Sequence, residues 1–286
     1  MFIDESDIYK SCSLCPRDCL VDRTKNSDGI CGMDMNLRIA SFGPHYGEEP
    51  ELVGFTASGT IFLSGCSLLC EFCQNYDISH QKHGRQFNSE ELTEMILNLQ
   101  QIGCTNINLV TPTHFSPSLI NAIIRAKDYG LKLPVVYNSS GYEKAETLKM
   151  WEGIVDIYMP DFKFVDSEKS KLYCDCPDYF DFASQAILEM QRQTGNLVIK
   201  NGIARRGLLI RHLVLPKNQS DTKEVIDFIA EKIGTDTYLN LMDQYRPAHE
   251  ANKYNLLNTR TNKEEFYEFV NYAKSIGFTR PDWLYQ

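Results

Sequence analysis

The chain has 286 residues, 43% of them hydrophobic, enough to bury the core of one large α/β domain with a small module beside it. Its 29 Lys and Arg against 38 Asp and Glu leave a formal net charge of −9, which excludes the broad basic face of a general nucleic-acid binder. No apolar run approaches the ~20 residues that span a bilayer, and the acidic start Phe2-Ile3-Asp4-Glu5-Ser6-Asp7 lacks the basic and apolar regions of a secretory signal, so a reducing, cytoplasmic setting is expected.

Residues 1–50 read as a separate Cys-rich module. Cys12, Cys15, Cys19 and Cys31 follow the spacing C-x2-C-x3-C-x11-C, with Pro16, Gly29 and Gly32 as turn formers. Four thiolates on short loops suit a closed metal site: structural zinc, or an auxiliary iron–sulfur cluster or rubredoxin-like iron. So short and polar a segment has little core of its own, and metal would supply much of its folding energy.

Residues 51–286 alternate strands with helices. Residues 60–64 form an apolar strand that delivers a second cysteine loop. Ser89 opens a helix whose Leu92, Met95, Ile96 and Leu99 share one face. A strand at 106–110 leads to a helix begun by Ser116-Pro117 and ended at Gly130. The alternation continues with strands at 134–137, 155–159, 209–215 and 238–242. Between them lie helices near 144–151, 167–173, 179–193 and, capped by Ser220, up to Ile233; a last helix covers 263–275. Six β/α units imply a parallel sheet with helices outside. Eight would close a barrel, so the expected architecture is α/β, an incomplete (β/α)6 barrel with a small N-terminal module. Ligands of such sheets sit at the C-terminal strand ends.

The second loop carries the chemistry. Cys66, Cys70 and Cys73 stand in Gly65-Cys66-Ser67-Leu68-Leu69-Cys70-Glu71-Phe72-Cys73-Gln74-Asn75, spaced C-x3-C-x2-C. A [4Fe–4S] cluster normally takes four Cys ligands. Three leave one iron open, which a reactive cluster needs and an electron carrier does not. The spacing, with Phe72 in the aromatic position, resembles the radical S-adenosylmethionine (SAM) superfamily. The resemblance implies that the amino and carboxylate groups of SAM chelate the open iron, and that one electron cleaves SAM to methionine and a 5′-deoxyadenosyl radical.

The chain is most similar to the pyruvate formate-lyase-activating enzyme group, in its branch with an N-terminal Cys motif, over about residues 48–280. The runs Cys-Glu-Phe-Cys-Gln-Asn-Tyr-Asp-Ile-Ser from Cys70, Tyr158-Met159-Pro160-Asp161-Phe162-Lys163 and Leu241-Met242-Asp243-Gln244-Tyr245 carry that likeness. It implies that Lys163 contacts the SAM carboxylate, that Asp161, Met159 and Asn138 surround a monovalent cation, that Ser139 with Ser140, Gly141 and Tyr142 lines the SAM site, and that Arg211 lies close to it. Two departures stand out. The family's Gly-Gly-Glu-Pro loop is replaced by Val110-Thr111-Pro112-Thr113-His114-Phe115, where backbone carbonyls and Thr113 would receive the SAM ammonium. No His follows the last strand where the family has one. Cys174 and Cys176, in a C-x-C run, read as incidental, and Cys104 as core.

The resemblance thus implies an oxidoreductase that abstracts hydrogen from a glycyl-radical enzyme, another protein or a small substrate, with an electron donor such as flavodoxin or ferredoxin, and with no nucleic acid or membrane as partner. The alternatives are an iron–sulfur electron-transfer or scaffold protein without SAM cleavage, and a zinc-dependent binding module.

Overall fold

A computed structural model describes residues 2–279; Met1 and residues 280–286, at the outer ends of the two expected domains, lie outside the described residues. In chain order the strands are β1 (Arg38–His45), β2 (Ser58–Leu63), β3 (Arg85–Gln86), β4 (Ile107–Val110), β5 (Val135–Ser139), β6 (Ile157–Pro160), β7 (Val198–Lys200), β8 (Ile203–Leu213) and β9 (Tyr238–Met242). The helices are α1 (Glu5–Tyr9), α2 (Pro50–Val53), α3 (Tyr76–Ser79), α4 (Ser89–Ile102), α5 (Ser116–Asp128), α6 (Ala145–Lys149), α7 (Ser167–Cys174), α8 (Tyr179–Thr194), α9 (Thr222–Lys232) and α10 (Lys263–Ser275).

Six strands, β2-β4-β5-β6-β8-β9, run parallel in one curved sheet, the number read from the sequence. Their outward side chains, among them Ile61, Leu109, Tyr137 and Tyr158, share one buried cluster with Leu92, Ile96, Leu99, Leu119 and Ile123 of α4 and α5. The helix face expected from Leu92, Met95, Ile96 and Leu99 is therefore the buried one. Asn88 rather than Ser89 caps that helix, in a reciprocal pair with Glu91. Ser220 does not cap α9: its hydroxyl accepts from Leu215 N at 3.0 Å within the loop, and Asp221 precedes the helix in the left-handed region.

Three strands extend the sheet beyond the parallel core. β1 pairs antiparallel with β2, so the sheet starts inside the segment expected as a module, and β3 pairs with β1. β7 and β8 form a hairpin whose turn residues Asn201 and Gly202 both have positive φ, the conformation that suits a two-residue hairpin turn.

The interior of the open barrel is filled by the β1–β2 connection. Leu52 of α2 is fully buried against Val136, Ile157, Met159, Leu209 and Tyr238, inward residues of β5, β6, β8 and β9. Its carbonyl accepts from Asn106 Nδ2 at 2.8 Å, while Glu51 accepts from the Tyr238 hydroxyl at 2.8 Å and Glu49 from Asn240 Nδ2 at 3.0 Å. A chain segment thus bridges the two ends of the sheet where further strands would close a full barrel. Among the described residues no helix is long and apolar enough to cross a membrane.

Candidate active site

The sheet register decides which side chains meet. Side chains alternate along a strand, so Asn138 of β5 and Arg211 of β8 both face inward. Asp161, just past β6, pairs by a single bridge with Arg211 and joins the same level. These three surround a cavity of about 430 Å³ at the C-terminal strand ends, and Cys66, Cys70, Cys73, Ser139 and Lys163 share its lining. That volume is typical of a small-molecule site.

The cysteine loop leaves β2 through Gly65, whose φ of +82° places the turn in the left-handed region. The Gly65 amide donates to Ile78 O at 2.9 Å, Cys73 N to Cys70 O at 3.0 Å and Glu71 N to Tyr173 O at 2.9 Å. Phe72 is buried, edge-on to Phe164, Tyr173 and Tyr245 with ring centroids 6.2 Å away in each case. The aromatic of the motif is therefore the anchor that holds the loop, and three sulfurs remain at the cavity.

Burial pushes the Cys66 thiol up to about 12, aided by the neighbouring Cys70, and raises Cys73 likewise. Crowded thiols of raised pKa give up their protons readily only to a cation among them, and metal binding is coupled to that deprotonation. Polar contacts are already in place: Leu68 N donates to Cys66 Sγ at 3.4 Å, and the Ser79 hydroxyl, which donates to Asn75 O, lies 3.2 Å from Cys73 Sγ. Cys70 is the exception. Hydrogen bonding with Cys174, and then the Lys163 charge, lower it below its ordinary value, while burial and that same contact raise Cys174. Cys174 read as incidental in the sequence; the fold sets it against Cys70. A residue some hundred positions along the chain gave no local signal of that contact. Cys104 is core, as expected.

The charged groups form one network. Lys163 Nζ is 2.7 Å from Asp161 Oδ2, Arg211 Nε 2.9 Å from Asp161 Oδ1, and Arg211 Nη2 2.9 Å from Asn138 Oδ1. Glu48 Oε2 lies 3.4 Å from Arg211 Nη1. Burial works against ionising Asp161, but Arg211 and Lys163 outweigh it and hold the carboxyl below the usual range. Burial raises Glu48. The acceptors expected to surround a monovalent cation, Asp161 and Asn138, thus both face the Arg211 guanidinium, and Met159 points into the apolar interior. Sequence reading missed Glu48 and Glu49, which reach this network from a loop far from it in the chain.

Thr113 is not in the cavity. Thr111 adopts a φ of +60° and lines the cavity in its place. That turn sends Thr113 into the protein, where its hydroxyl donates to Glu143 Oε1 at 2.6 Å beside the Tyr137 hydroxyl. His114 is buried too, with Nε2 2.8 Å from Ser64 O. Burial, then the Arg23 charge, depress it to about 3, so it stays neutral and supports the strand end below the cysteine loop. After β9, Met242 and Gln244 line the cavity, and Tyr245 packs on Phe72.

The N-terminal cysteines also converge. Cys12, Cys15 and Cys31 are buried and Cys19 is half-buried. Burial raises Cys15, with Cys31, Cys12 and Cys19 adding to it. Ile30 N lies 3.4 Å from Cys19 Sγ, and Arg23 Nη1 3.6 Å from Cys12 Sγ. Among the described residues, no three His, Cys, Asp or Glu side chains close around a point as a single metal ion requires.

Residues 53–168 match a family described as a 4Fe–4S single cluster domain. The chain is 32% identical over 282 residues to the uncharacterized protein MJ0674 of Methanocaldococcus jannaschii, covering 95% of this chain and 76% of that protein. It is 24% identical over 263 residues to MJ0808 of the same organism, covering 84% and 72%. Among solved structures it is similar to HydG, a maturase of the [FeFe]-hydrogenase, with a TM-score of 0.55 and 14% identity over 77% of this chain and 49% of that one. It is also similar to methylornithine synthase (PylB), with a TM-score of 0.51 and 15% identity over 78% and 64%. The chain therefore spans about half of HydG and under two thirds of PylB. At these identities the likeness is one of fold: an α/β partial barrel built on a parallel sheet.

Proposed function

The chain belongs to the same family as MJ0674 of Methanocaldococcus jannaschii, and we propose that it is a radical SAM enzyme acting at the cavity formed by the C-terminal strand ends. The observation that carries this is the pairing of three cysteines, with no fourth in the lining among the described residues, with a Lys–Asp–Arg network on the same cavity. Cys66, Cys70 and Cys73 would hold the [4Fe–4S] cluster, consistent with the matched domain. When bound there, the cluster would supply the one electron needed to cleave the S–C5′ bond of SAM, giving methionine and a 5′-deoxyadenosyl radical.

The protein's own part is recognition. Lys163 is a cationic donor suited to the SAM carboxylate, and Asp161 holds it at the cavity edge. Ser139 and the carbonyls around Thr111 offer acceptors to the ammonium. Leu52 and the Glu48–Glu51 segment fill the barrel below, so a substrate reaches the radical from the strand-end face. The likeness of Asp161-Phe162-Lys163 to the activating enzymes supports a protein glycine as hydrogen source, with a low-potential flavodoxin or ferredoxin as reductant.

The test is anaerobic reconstitution, addition of dithionite and SAM, and quantification of 5′-deoxyadenosine, with Cys70→Ala as control. Product in the wild type alone is expected. An intact cluster without product would favour an electron-transfer protein instead.

A further inference from the structure

We propose that the N-terminal module holds a second iron–sulfur cluster, ligated by Cys12, Cys15, Cys19 and Cys31, and that it is the port by which electrons reach the site at Cys66, Cys70 and Cys73. The port half rests on the function proposed above; the cluster half does not.

Arg23 points to bound metal. It is 1% exposed, and its guanidinium donates to Met33 O at 2.9 Å, to Asp34 O at 2.7 Å and to His114 O, besides facing Cys12 Sγ. It stacks over Tyr9 at 4.5 Å. None of these partners is a carboxylate, and a buried cation without an anion is strongly disfavoured. Four metal-bound thiolates supply the missing negative charge, and Cys12 is already at the guanidinium.

The placement favours a cluster over one zinc ion. Zinc has no redox chemistry, whereas the four thiols gather beside the residue that leads into the Cys66–Cys73 loop, within the matched 4Fe–4S domain, where a one-electron carrier can exchange with it.

The module's position makes it a relay. A Cβ on Gly65 would stand 2.6 Å from Met33 Cγ and 2.8 Å from Cys31 O, so a ligand residue of one set is in backbone contact with the residue that precedes Cys66. Arg23 adds a second connection, through the His114 carbonyl and from the His114 ring to Ser64 O. On the outer side Cys19 is half-buried between exposed Leu20 and Ile30, the side open to a donor. The step is a single-electron transfer. A reduced donor of the ferredoxin class loses one electron, the N-terminal cluster gains it and passes it on, and no bond or proton changes place.

The full-length wild type, Cys12→Ser/Cys19→Ser, and Cys66→Ala/Cys70→Ala/Cys73→Ala proteins are reconstituted anaerobically and assayed for iron, sulfide, zinc and EPR after dithionite. The wild type should give two signals, only one of them altered by SAM. The triple variant should keep the SAM-insensitive signal and the N-terminal variant the SAM-sensitive one, each with about half the iron. Zinc without iron in the triple variant overturns the proposal, whether or not the wild type cleaves SAM. In the N-terminal variant, 5′-deoxyadenosine formation driven by reduced ferredoxin should fall at least about tenfold while dithionite-driven formation stays within about twofold. Equal loss or equal retention with both reductants overturns the port. Failure of the wild type with dithionite, both signals being present, would instead refute the proposed function.

Discussion

Arg211 and Asp161 meet across the bridge that joins β8 to the end of β6, with Nε and Oδ1 2.9 Å apart and both side chains largely buried. Lys163 takes the other carboxylate oxygen at 2.7 Å. Asp161 is thus the one anion that both cations share at the cavity edge. Removing one partner of a buried pair commonly costs ~3–5 kcal/mol, and Asp161→Ala should destabilise the apoprotein in that range in urea titrations. Asp161 is held below its ordinary range, so its contribution is full above the unfolded carboxylate value near ~3.9 and is lost as pH falls through the lower folded value. The wild-type minus Asp161→Ala difference should therefore be flat from neutral pH down to about 5 and shrink below about 4. A difference that grows on acidification would contradict this account.

Gly65 tests the contact between the two cysteine sets. Alanine there must adopt a φ near +82° and place its Cβ 2.8 Å from the Cys31 carbonyl. Left-handed backbone alone costs a non-glycine residue ~1–2 kcal/mol, and the clash falls on backbone, which cannot yield as a side-chain tip can. Gly65→Ala should lose ~3 kcal/mol of stability and lower iron incorporation. Gly103→Ala, at a positive φ but in open space, should show the backbone cost alone. Equal melting temperatures for the two variants would mean that the modules are not in contact.

The six parallel strands were legible because each is a short apolar run bounded by a helix with its own apolar face. The cysteine loop was legible because its three cysteines lie within eight residues. Features built from distant segments were not. Cys174 meets Cys70 only once α7 packs on the loop, and Glu48 and Glu49 reach Arg211 only because the β1–β2 connection runs inside the barrel. β1 contains Gly43-Pro44, both poor strand formers, yet pairs with β2 through both residues. Thr113 was misplaced by one feature, the positive φ of Thr111, which reverses the direction of the residues after it.

Phe72 links the cysteine motif to the core. Its ring touches Phe164, Tyr173 and Tyr245, which come from three separate parts of the chain. Truncating a buried Phe costs ~3–5 kcal/mol, and here the loss falls on the loop that carries the three cysteines. Phe72→Ala should melt earlier and, when folded at low temperature, lose iron to a chelator at least about tenfold faster than wild type. Phe72→Leu, closer in volume, should recover most of the stability. Chelation at the wild-type rate in the Ala variant would show that the backbone hydrogen bonds alone hold the loop.

Glu143 and His114, neighbours of the displaced Thr113, give opposite pH signatures. Burial raises Glu143 to about 7, so the fold favours its protonated form. Its contribution is full below the ordinary value of 4.5 and is lost as pH rises through about 7. His114 is depressed to about 3, so the fold favours its neutral form; that contribution is full above 6.5 and is lost as pH falls toward about 3. Between those limits the two trends oppose each other and partly cancel in the wild type. Glu143→Gln should unmask the histidine, giving stability that rises more steeply with pH from about 4.5 to 6.5 than in the wild type. His114→Gln should unmask the carboxyl, giving stability that falls over the same interval. Thr113→Val removes the donor to Glu143 Oε1 at 2.6 Å, so the carboxylate loses a stabilising hydrogen bond, its folded value rises further, and the loss of stability with rising pH should grow and extend to higher pH. Chemical denaturation at four pH values resolves all three slopes, and parallel curves for Glu143→Gln and wild type would show that Glu143 is ionised throughout.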